Sequence, residues 1–274
     1  MKKKLLTSLM SLAVILIFSV PAFAHFQMIY TEESALEKGK EINLKLVFTH
    51  PFEAGHTMDI GKDEKGVIHP PKSFGVMRKG KKKDLLSTLK TIDFTSLSNT
   101  GKAYEATYKL RGMGDYVFYF DPAPYYEASE DIYIEHVTKM IVNVAGAPTD
   151  WDAEVGLPVE IVPLDKPYAL WVGNVFRGVV KCNGKPVPDI EIEVEYMNHD
   201  IHGNAFVKRA KVKAPQDAFI TQTIKADSNG VFTFGIPRAG WWGFAALGAG
   251  GDRTYKGKEL SQDAVIWVQA KDMK

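Results

Sequence analysis

The sequence predicts an all-β protein built from two β-sandwich domains. Apolar and polar side chains alternate with a period of two along most of the chain, as where Ile42, Leu44 and Leu46 alternate with Asn43 and Lys45. No segment carries a long helical period, and turns rich in glycine, proline and asparagine separate the alternating runs. The 274 residues are 45% hydrophobic and 24% charged, which is the composition of a globular chain.

Residues 1–24 are predicted to be a signal peptide. Lys2, Lys3 and Lys4 form a positive start, an apolar stretch follows, and Ala22-Phe23-Ala24 is a small-x-small cleavage signal. We therefore expect cleavage after Ala24, export, and a mature chain that begins at a histidine.

Residues 25–167 are assigned to a first β-sandwich domain. Further strands are predicted over residues 104–110 and 116–120. A long strand follows, in which Ile132, Ile134 and Met140 share one face and Glu135 and Lys139 lie on the other. A connector with three prolines, residues 156–167, separates this domain from the next.

Residues 168–274 are assigned to a second, immunoglobulin-like β-sandwich. About seven short strands with turn signals between them are typical of such a fold. The runs on either side of Asp227-Ser228-Asn229-Gly230 predict a hairpin. The strings GVVKCNGKPVPDIEIEVEY and ADSNGVFTFGIPRAGWWGFAA resemble the carboxypeptidase-regulatory or transthyretin-like module, which implies a scaffold role for this half.

Several function classes have no support in the sequence. The 34 basic and 33 acidic residues nearly balance, so charge gives no reason to expect nucleic-acid binding. The basic run around Gly80, from Lys79 to Lys83, is interpreted as a solvated turn. The chain lacks a phosphate-binding glycine loop, a G-x-S-x-G elbow and an H-E-x-x-H helix, and Cys182 is its only cysteine. These motif-based classes of enzyme therefore have no support in the sequence.

His25 is the first candidate metal ligand. As the first residue of the mature chain it would offer a free α-amine beside its imidazole, and the amine and Nδ1 together can chelate one ion. Nitrogen ligands of this kind suit late first-row divalent metals such as Ni²⁺ and Cu²⁺.

Three further histidines are candidate ligands. His50 continues the apolar face of its strand, and His136 is in register with Ile134 and Met140, so both are expected to point inward. His56 lies in the loop after His50. Met28 and Met58 are left open as ligands, and carboxylates that could accept a hydrogen bond from the ligand imidazoles are Asp59, Asp121, Glu127 and Glu135. His199 and His202 lie in a polar loop and are expected to be solvated, with an auxiliary metal site as the alternative.

The whole chain resembles a known group of exported proteins. The strings AHFQMIY, FTHPFEAGHTMD, GDYVFYFDPAPYYEASEDIYIEHVTK and GLPVEIVPLDKPYALWVGNVFRGVV are similar to the periplasmic accessory proteins of energy-coupling-factor nickel/cobalt uptake systems, a group otherwise catalogued as a domain of unknown function. The resemblance implies a non-enzymatic protein that captures Ni²⁺ or Co²⁺ and passes it to a membrane transporter. Its motif histidines correspond to His25, His50 and His136, with His56 inside the second motif.

Three alternatives remain at this point. A copper carrier would use the same nitrogen ligands, since Cu²⁺ binds such sites more tightly than Ni²⁺ does. A copper polysaccharide mono-oxygenase also uses an N-terminal histidine, although no exposed aromatic binding face is evident in the sequence. The last alternative is a structural or adhesion-type β protein without a metal.

Overall fold

A computed structural model of the protein describes residues 25–273, and the predicted signal peptide lies outside the described residues. The strands of the first half are β1 Phe26–Tyr30, β2 Ala35–Leu36, β3 Glu41–Thr49, β4 Thr57–Met58, β5 Ser73–Arg78, β6 Lys81–Asp84, β7 Lys90–Thr95, β8 Thr100–Lys109, β9 Gly114–Asp121, β10 Tyr125–Glu127, β11 Ile132–Val144 and β12 Val159–Pro163. Those of the second half are β13 Leu170–Trp171, β14 Val175–Cys182, β15 Lys185–Pro186, β16 Glu191–Tyr196, β17 His199–His202, β18 Ala205–Ala210, β19 Thr221–Lys225, β20 Val231–Gly235, β21 Gly240–Ala246, β22 Thr254–Tyr255 and β23 Lys258–Lys271.

The all-β prediction is confirmed. Helix within the described residues is limited to two 3-10 turns, Leu86–Thr88 and Asp217–Phe219. Neither turn has the length or the apolar content that a membrane-spanning helix needs.

The strands form three sheets. One sheet has the order β1-β3-β8-β7-β18-β17, with β4 beside β3. The largest has the order β19-β16-β21-β23-β11-β9-β5-β6, with four short strands at its margins, and the third contains β12, β14, β15 and β20. The largest sheet is the middle layer, because one hydrophobic cluster fills the space between it and the first sheet and a second cluster fills the space between it and the third.

The middle layer joins the two halves of the chain. β11 pairs in parallel with β23, from the partners Tyr133 and Leu260 to Met140 and Trp267. β17 and β18 of the second half extend the first sheet through the pair Ala205 and Thr95. Strands from both sides of the predicted boundary at residue 168 are thus hydrogen-bonded to each other, while the division into two domains stays a prediction.

The predicted hairpin around residues 227–230 is wrong in its pairing. Both flanking runs are strands, but β19 pairs with β16 in the middle sheet and β20 pairs with β14 in the third sheet. The turn therefore carries the chain from one layer to the next. Apolar side chains on both strands alternate as they would in a hairpin, so the pattern alone does not reveal which sheet each strand joins.

The long strand β11 is buried on both faces. Ile134 and Met140 pack into the first cluster, as predicted, and Val137 and Ile141 pack into the second. Lys139, on the second face, is 1% exposed, and its Nζ donates to Oε2 of Glu160 at 2.8 Å. A buried charge requires such a partner, so this ion pair joins the middle sheet to the third one.

Candidate functional site

His25 and His50 lie opposite each other at one end of the first sheet. β1 and β3 are antiparallel, and the pair Phe26 and Thr49 places the residue before β1 opposite the residue after β3. The two imidazole rings are 4.7 Å apart between centroids and meet edge to face. This contact follows from strand register, although the two residues are far apart in sequence.

His56 reaches the same place through a tight turn. Pro51 follows His50 and lacks the N–H that would continue the strand, and the Ala54 N–H donates to the His50 carbonyl at 2.7 Å. The chain then returns as β4, with Thr57 opposite Thr49. The His56 ring lies 6.5 Å from the His50 ring between centroids. Three imidazoles from two segments of the chain therefore line one cleft.

Glu127 is the carboxylate that contacts this cluster. Its Oε2 lies 3.1 Å from Nε2 of His25, and its Oε1 accepts the Ser129 backbone N–H at 3.0 Å. The hydrogen bond with His25 lowers the pKa of Glu127 to about 2, and the Ser129 bonds act in the same direction against the effect of burial. Glu127 is thus ionised near neutral pH and holds one nitrogen of His25.

The environment of His50 keeps its imidazole neutral. Burial lowers the pKa of His50 to about 3, and the nearby His25 and His56 add to this shift because a second positive charge would be repelled. A neutral imidazole is the form that binds a metal ion.

The cleft around the three histidines is open to solvent and has a volume of about 840 Å³. Its other lining residues are mostly polar and include Met58, Asp59, Asn99, Tyr125, Glu127 and Ser129. Across residues 25–273, no three histidine, cysteine, aspartate or glutamate side chains already stand in an arrangement that could hold a metal ion. Coordination by this cluster would therefore require the imidazoles to rotate toward a common point.

His136 lies away from the cluster. The Phe48 ring stands between them, 5.6 Å from the His25 ring and 5.3 Å from the His136 ring. Nδ1 of His136 accepts the Gln27 backbone N–H at 3.4 Å, and its Nε2 lies 2.9 Å from Oδ2 of Asp263. Both ring nitrogens are engaged in the protein, and the predicted role of His136 as a ligand stays a prediction.

The remaining candidates occupy varied surroundings. Met58 and Asp59 line the cleft, whereas Met28 is buried in the first cluster. Glu135 is buried, pairs with Lys72 and accepts a hydrogen bond from Gln262. Asp121 lies 3.9 Å from the Lys72 ammonium.

His199 and His202 differ from each other. His199 is buried, and its Nδ1 lies 2.8 Å from the Val207 carbonyl oxygen, while His202 is exposed. The expectation that both are solvated is therefore wrong for His199, because the pairing of β17 with β18 covers it.

Sequence reasoning did not identify Asp263 as the partner of His136. Asp263 lies directly opposite His136 in the parallel pairing of β11 and β23, which joins residues distant in the chain. The sequence signal that could have identified Asp263 is its place directly before an apolar run in a strand, Asp263-Ala264-Val265-Ile266-Trp267.

Comparison with solved structures finds low similarity to several of them. The D0-D1 domain of intimin matches at 14% identity with a TM-score of 0.22, over 90% of this chain and 100% of that chain. The Yersinia pseudotuberculosis adhesin InvE matches at 13% identity with a TM-score of 0.23, over 88% of this chain and 58% of that chain. The N-terminal eight immunoglobulin domains of Down syndrome cell adhesion molecule match at 11% identity with a TM-score of 0.21, over 91% of this chain and 28% of that chain.

Comparison with protein families is more specific. No curated protein matches the sequence. Residues 22–250 match the family model described as "Domain of unknown function (DUF4198)". The match covers most of the chain, including all the histidines of the cleft. The chain therefore belongs to the DUF4198 family.

Proposed function

We propose that the protein is a periplasmic carrier that binds Ni²⁺ or Co²⁺ at His25, His50 and His56. The observation that carries the proposal is the meeting of these three imidazoles at one open cleft, where the start of the described chain meets the segment that carries His50 and His56. Imidazole nitrogens favour late first-row transition metals over Mg²⁺ and Ca²⁺, which prefer oxygen ligands.

The protonation state of the cluster supports this role. A metal ion must displace any proton held by its ligand, so binding is strongest where the ligand is already neutral. The pKa of His50 is lowered to about 3 by burial and by the neighbouring imidazoles, so this ligand carries no proton near neutral pH.

The position of Glu127 supports the proposal that His25 is a metal ligand. The carboxylate lies 3.1 Å from Nε2, which leaves Nδ1 as the nitrogen for the metal. Nδ1 is also the nitrogen that forms a chelate ring with the α-amine once the chain begins at His25. A carboxylate that holds the outer nitrogen of a ligand imidazole fixes its orientation and raises its basicity. Glu127 is thus proposed as a positioning residue for the ligand His25.

The wider role rests on the resemblance described above. We infer that the bound ion is cargo, that the protein performs no chemistry on it, and that the receiver is a membrane transporter of the energy-coupling-factor type. An open cleft suits a carrier, because the ion must leave as well as enter.

The test is a metal titration of protein exported with its native N-terminus. Calorimetry with Ni²⁺, Co²⁺ and Cu²⁺ is compared with the same chain carrying one extra methionine before His25, and circular dichroism checks folding in both. We expect about one equivalent of Ni²⁺ to bind and the extension to weaken binding, because it moves the α-amine out of chelating reach.

Two results would count against the proposal. Absence of Ni²⁺ and Co²⁺ binding to the folded native protein would overturn it. Equal Ni²⁺ affinity in the native and the extended chain would overturn the part of the proposal in which the α-amine binds the metal. Metal analysis of protein isolated from the periplasm distinguishes the copper alternative, since Cu²⁺ binds any such nitrogen site tightly in vitro.

A further inference from the structure

A second cleft lies at the opposite end of the first sheet from the histidines. It has a volume of about 450 Å³ and its charged and aromatic lining residues are Arg78, Lys83, Lys109, Arg111, Tyr108 and Tyr116. Tyr108 pairs with Ile42 of β3, and His50, which directly follows β3, is eight residues further along the chain. At about 3.3 Å per residue the two clefts are roughly 26 Å apart.

Four positive side chains converge on this cleft from separate elements. Arg78 ends β5, Lys83 lies on β6, Lys109 ends β8, and Arg111 lies in the turn that follows. None of the four forms an ion pair with any residue in the range 25–273. No aspartate or glutamate of that range lines the cleft. The positive charge is therefore uncompensated by the protein.

The two tyrosines contact two of the four cations, Arg78 and Lys83. The Arg78 guanidinium carbon lies 4.9 Å from the Tyr116 ring centroid, and the Lys83 Nζ lies 5.6 Å from the Tyr108 ring centroid. Nη2 of Arg78 donates to the Met113 carbonyl at 3.0 Å. The Tyr116 hydroxyl donates to the Arg111 carbonyl at 2.7 Å, which fixes the turn.

The hydrogen-bonding capacity of Arg78 is largely unused. A guanidinium has five N–H donors, and the Met113 carbonyl is the one acceptor that residues 25–273 supply to it. Its Nε is shielded from solvent without an acceptor. Arginine held over an aromatic ring, with free donors on its edge, is well suited to bind an oxyanion.

We propose that this cleft binds a small oxyanion with two or more negative charges. Two arginines and two lysines surround a space large enough for a diphosphate or a tricarboxylate. Arginine recognises each phosphate or carboxylate group through two parallel hydrogen bonds to its oxygens. Of the basic run that the sequence assigned to a solvated turn, Lys83 is the residue that lines the cleft. The site is independent of metal binding at the histidines.

The test is a calorimetric titration of the full mature chain with inorganic pyrophosphate at 0.15 M NaCl, where weak non-specific attraction is screened. We expect saturable binding at one site. Arg78→Gln should weaken it about tenfold or more, because it removes a positive charge and the charge-assisted hydrogen bonds that the guanidinium donates. Arg209→Gln is the matched control, because Arg209 is exposed and lies outside the cleft.

A second variant and a second ligand source complete the test. Arg111→Gln changes an exposed side chain, so it weakens binding without risk to the fold if the proposal holds. Cosedimentation with cardiolipin vesicles, whose headgroup carries two phosphates, shows whether a lipid supplies the same charge. Binding of either ligand that is weakened by both variants supports the site. Absence of binding to both, or equal binding by Arg78→Gln, Arg111→Gln and wild type, would overturn it.

Discussion

Nε2 of His25 lies 3.1 Å from Oε2 of Glu127, a carboxylate that Ser129 also holds through its backbone N–H and hydroxyl. This contact sets which nitrogen of His25 is directed to the protein and which is left for a ligand. It also keeps a negative charge beside a cluster of three imidazoles, where a bound cation would be stabilised. The first prediction concerns this carboxylate.

Glu127→Gln should lower the Ni²⁺ affinity of the native protein about tenfold or more. The amide retains an acceptor for His25 but removes the charge that raises the basicity of the imidazole, and loss of such partners costs about 10–100-fold in metal affinity. Calorimetry on Glu127→Gln and on Glu130→Gln, an exposed glutamate of the same cleft, makes the comparison. Equal losses in the two variants would show a general effect of charge and not a positioning role.

His136→Gln should leave the Ni²⁺ affinity within about threefold of wild type and lower the free energy of unfolding by about 1–3 kcal/mol. Both ring nitrogens of His136 contact the protein, so the substitution disturbs a buried pair with Asp263. Calorimetry and urea unfolding measure the two effects. A folded variant that loses Ni²⁺ binding would instead support the ligand role that the sequence predicts for His136.

Glu195→Gln should remove part of the pH dependence of stability. Burial raises the pKa of Glu195 to about 8 against the opposing hydrogen bonds from Thr221 and Phe52. The folded state therefore keeps this proton between pH 4.5 and 8 while the unfolded state loses it, so the contribution of Glu195 to stability is lost as pH rises through that interval.

The measurement for Glu195 is urea unfolding at pH 6 and pH 8. From pH 6 to pH 8, the wild-type free energy of unfolding should fall by about 2 kcal/mol more than that of Glu195→Gln. The reason is that a group protonated only in the folded state changes this free energy by up to about 1.4 kcal/mol per pH unit. Glu191→Gln, an exposed position on the same strand, should behave as wild type. The same pH dependence in all three proteins would refute the assignment.

Lys139→Met should destabilise the protein by about 3–5 kcal/mol, because it leaves the buried Glu160 carboxylate without its partner. Lys102→Met makes the same change in the ion pair with Asp93, whose side chains are 47% and 64% exposed, and should cost less than about 1 kcal/mol. Urea unfolding gives both values. Similar small losses would mean that the pair between the middle and third sheets contributes little.

The fold class and part of the site follow from local sequence patterns. Alternation with a period of two identifies the strands, and it places His50 at the end of one of them. His56 belongs to the same short segment, so its proximity to His50 depends on a local turn. Pairing between distant strands is different, because the alternation fits many possible partners.

Long-range pairing explains what the sequence leaves open. The parallel register of β11 and β23 brings Asp263 to His136, and the third sheet buries Lys139. Neither arrangement has a local signature. The ranking of Glu127 above Asp59, Asp121 and Glu135 likewise depends on the position of β10 beside His25, the residue that precedes β1.

The cluster of His25, His50 and His56 is the central claim, and Ni²⁺ calorimetry on His50→Ala tests it most directly. The His50 ring lies within 6.5 Å of each of the other two rings between centroids. Its loss should therefore lower the Ni²⁺ affinity more than about 100-fold, which exceeds the usual cost of losing an outer partner. His202→Ala, an exposed histidine outside the cleft, should bind as wild type. A folded His50→Ala protein with wild-type Ni²⁺ affinity would contradict the account.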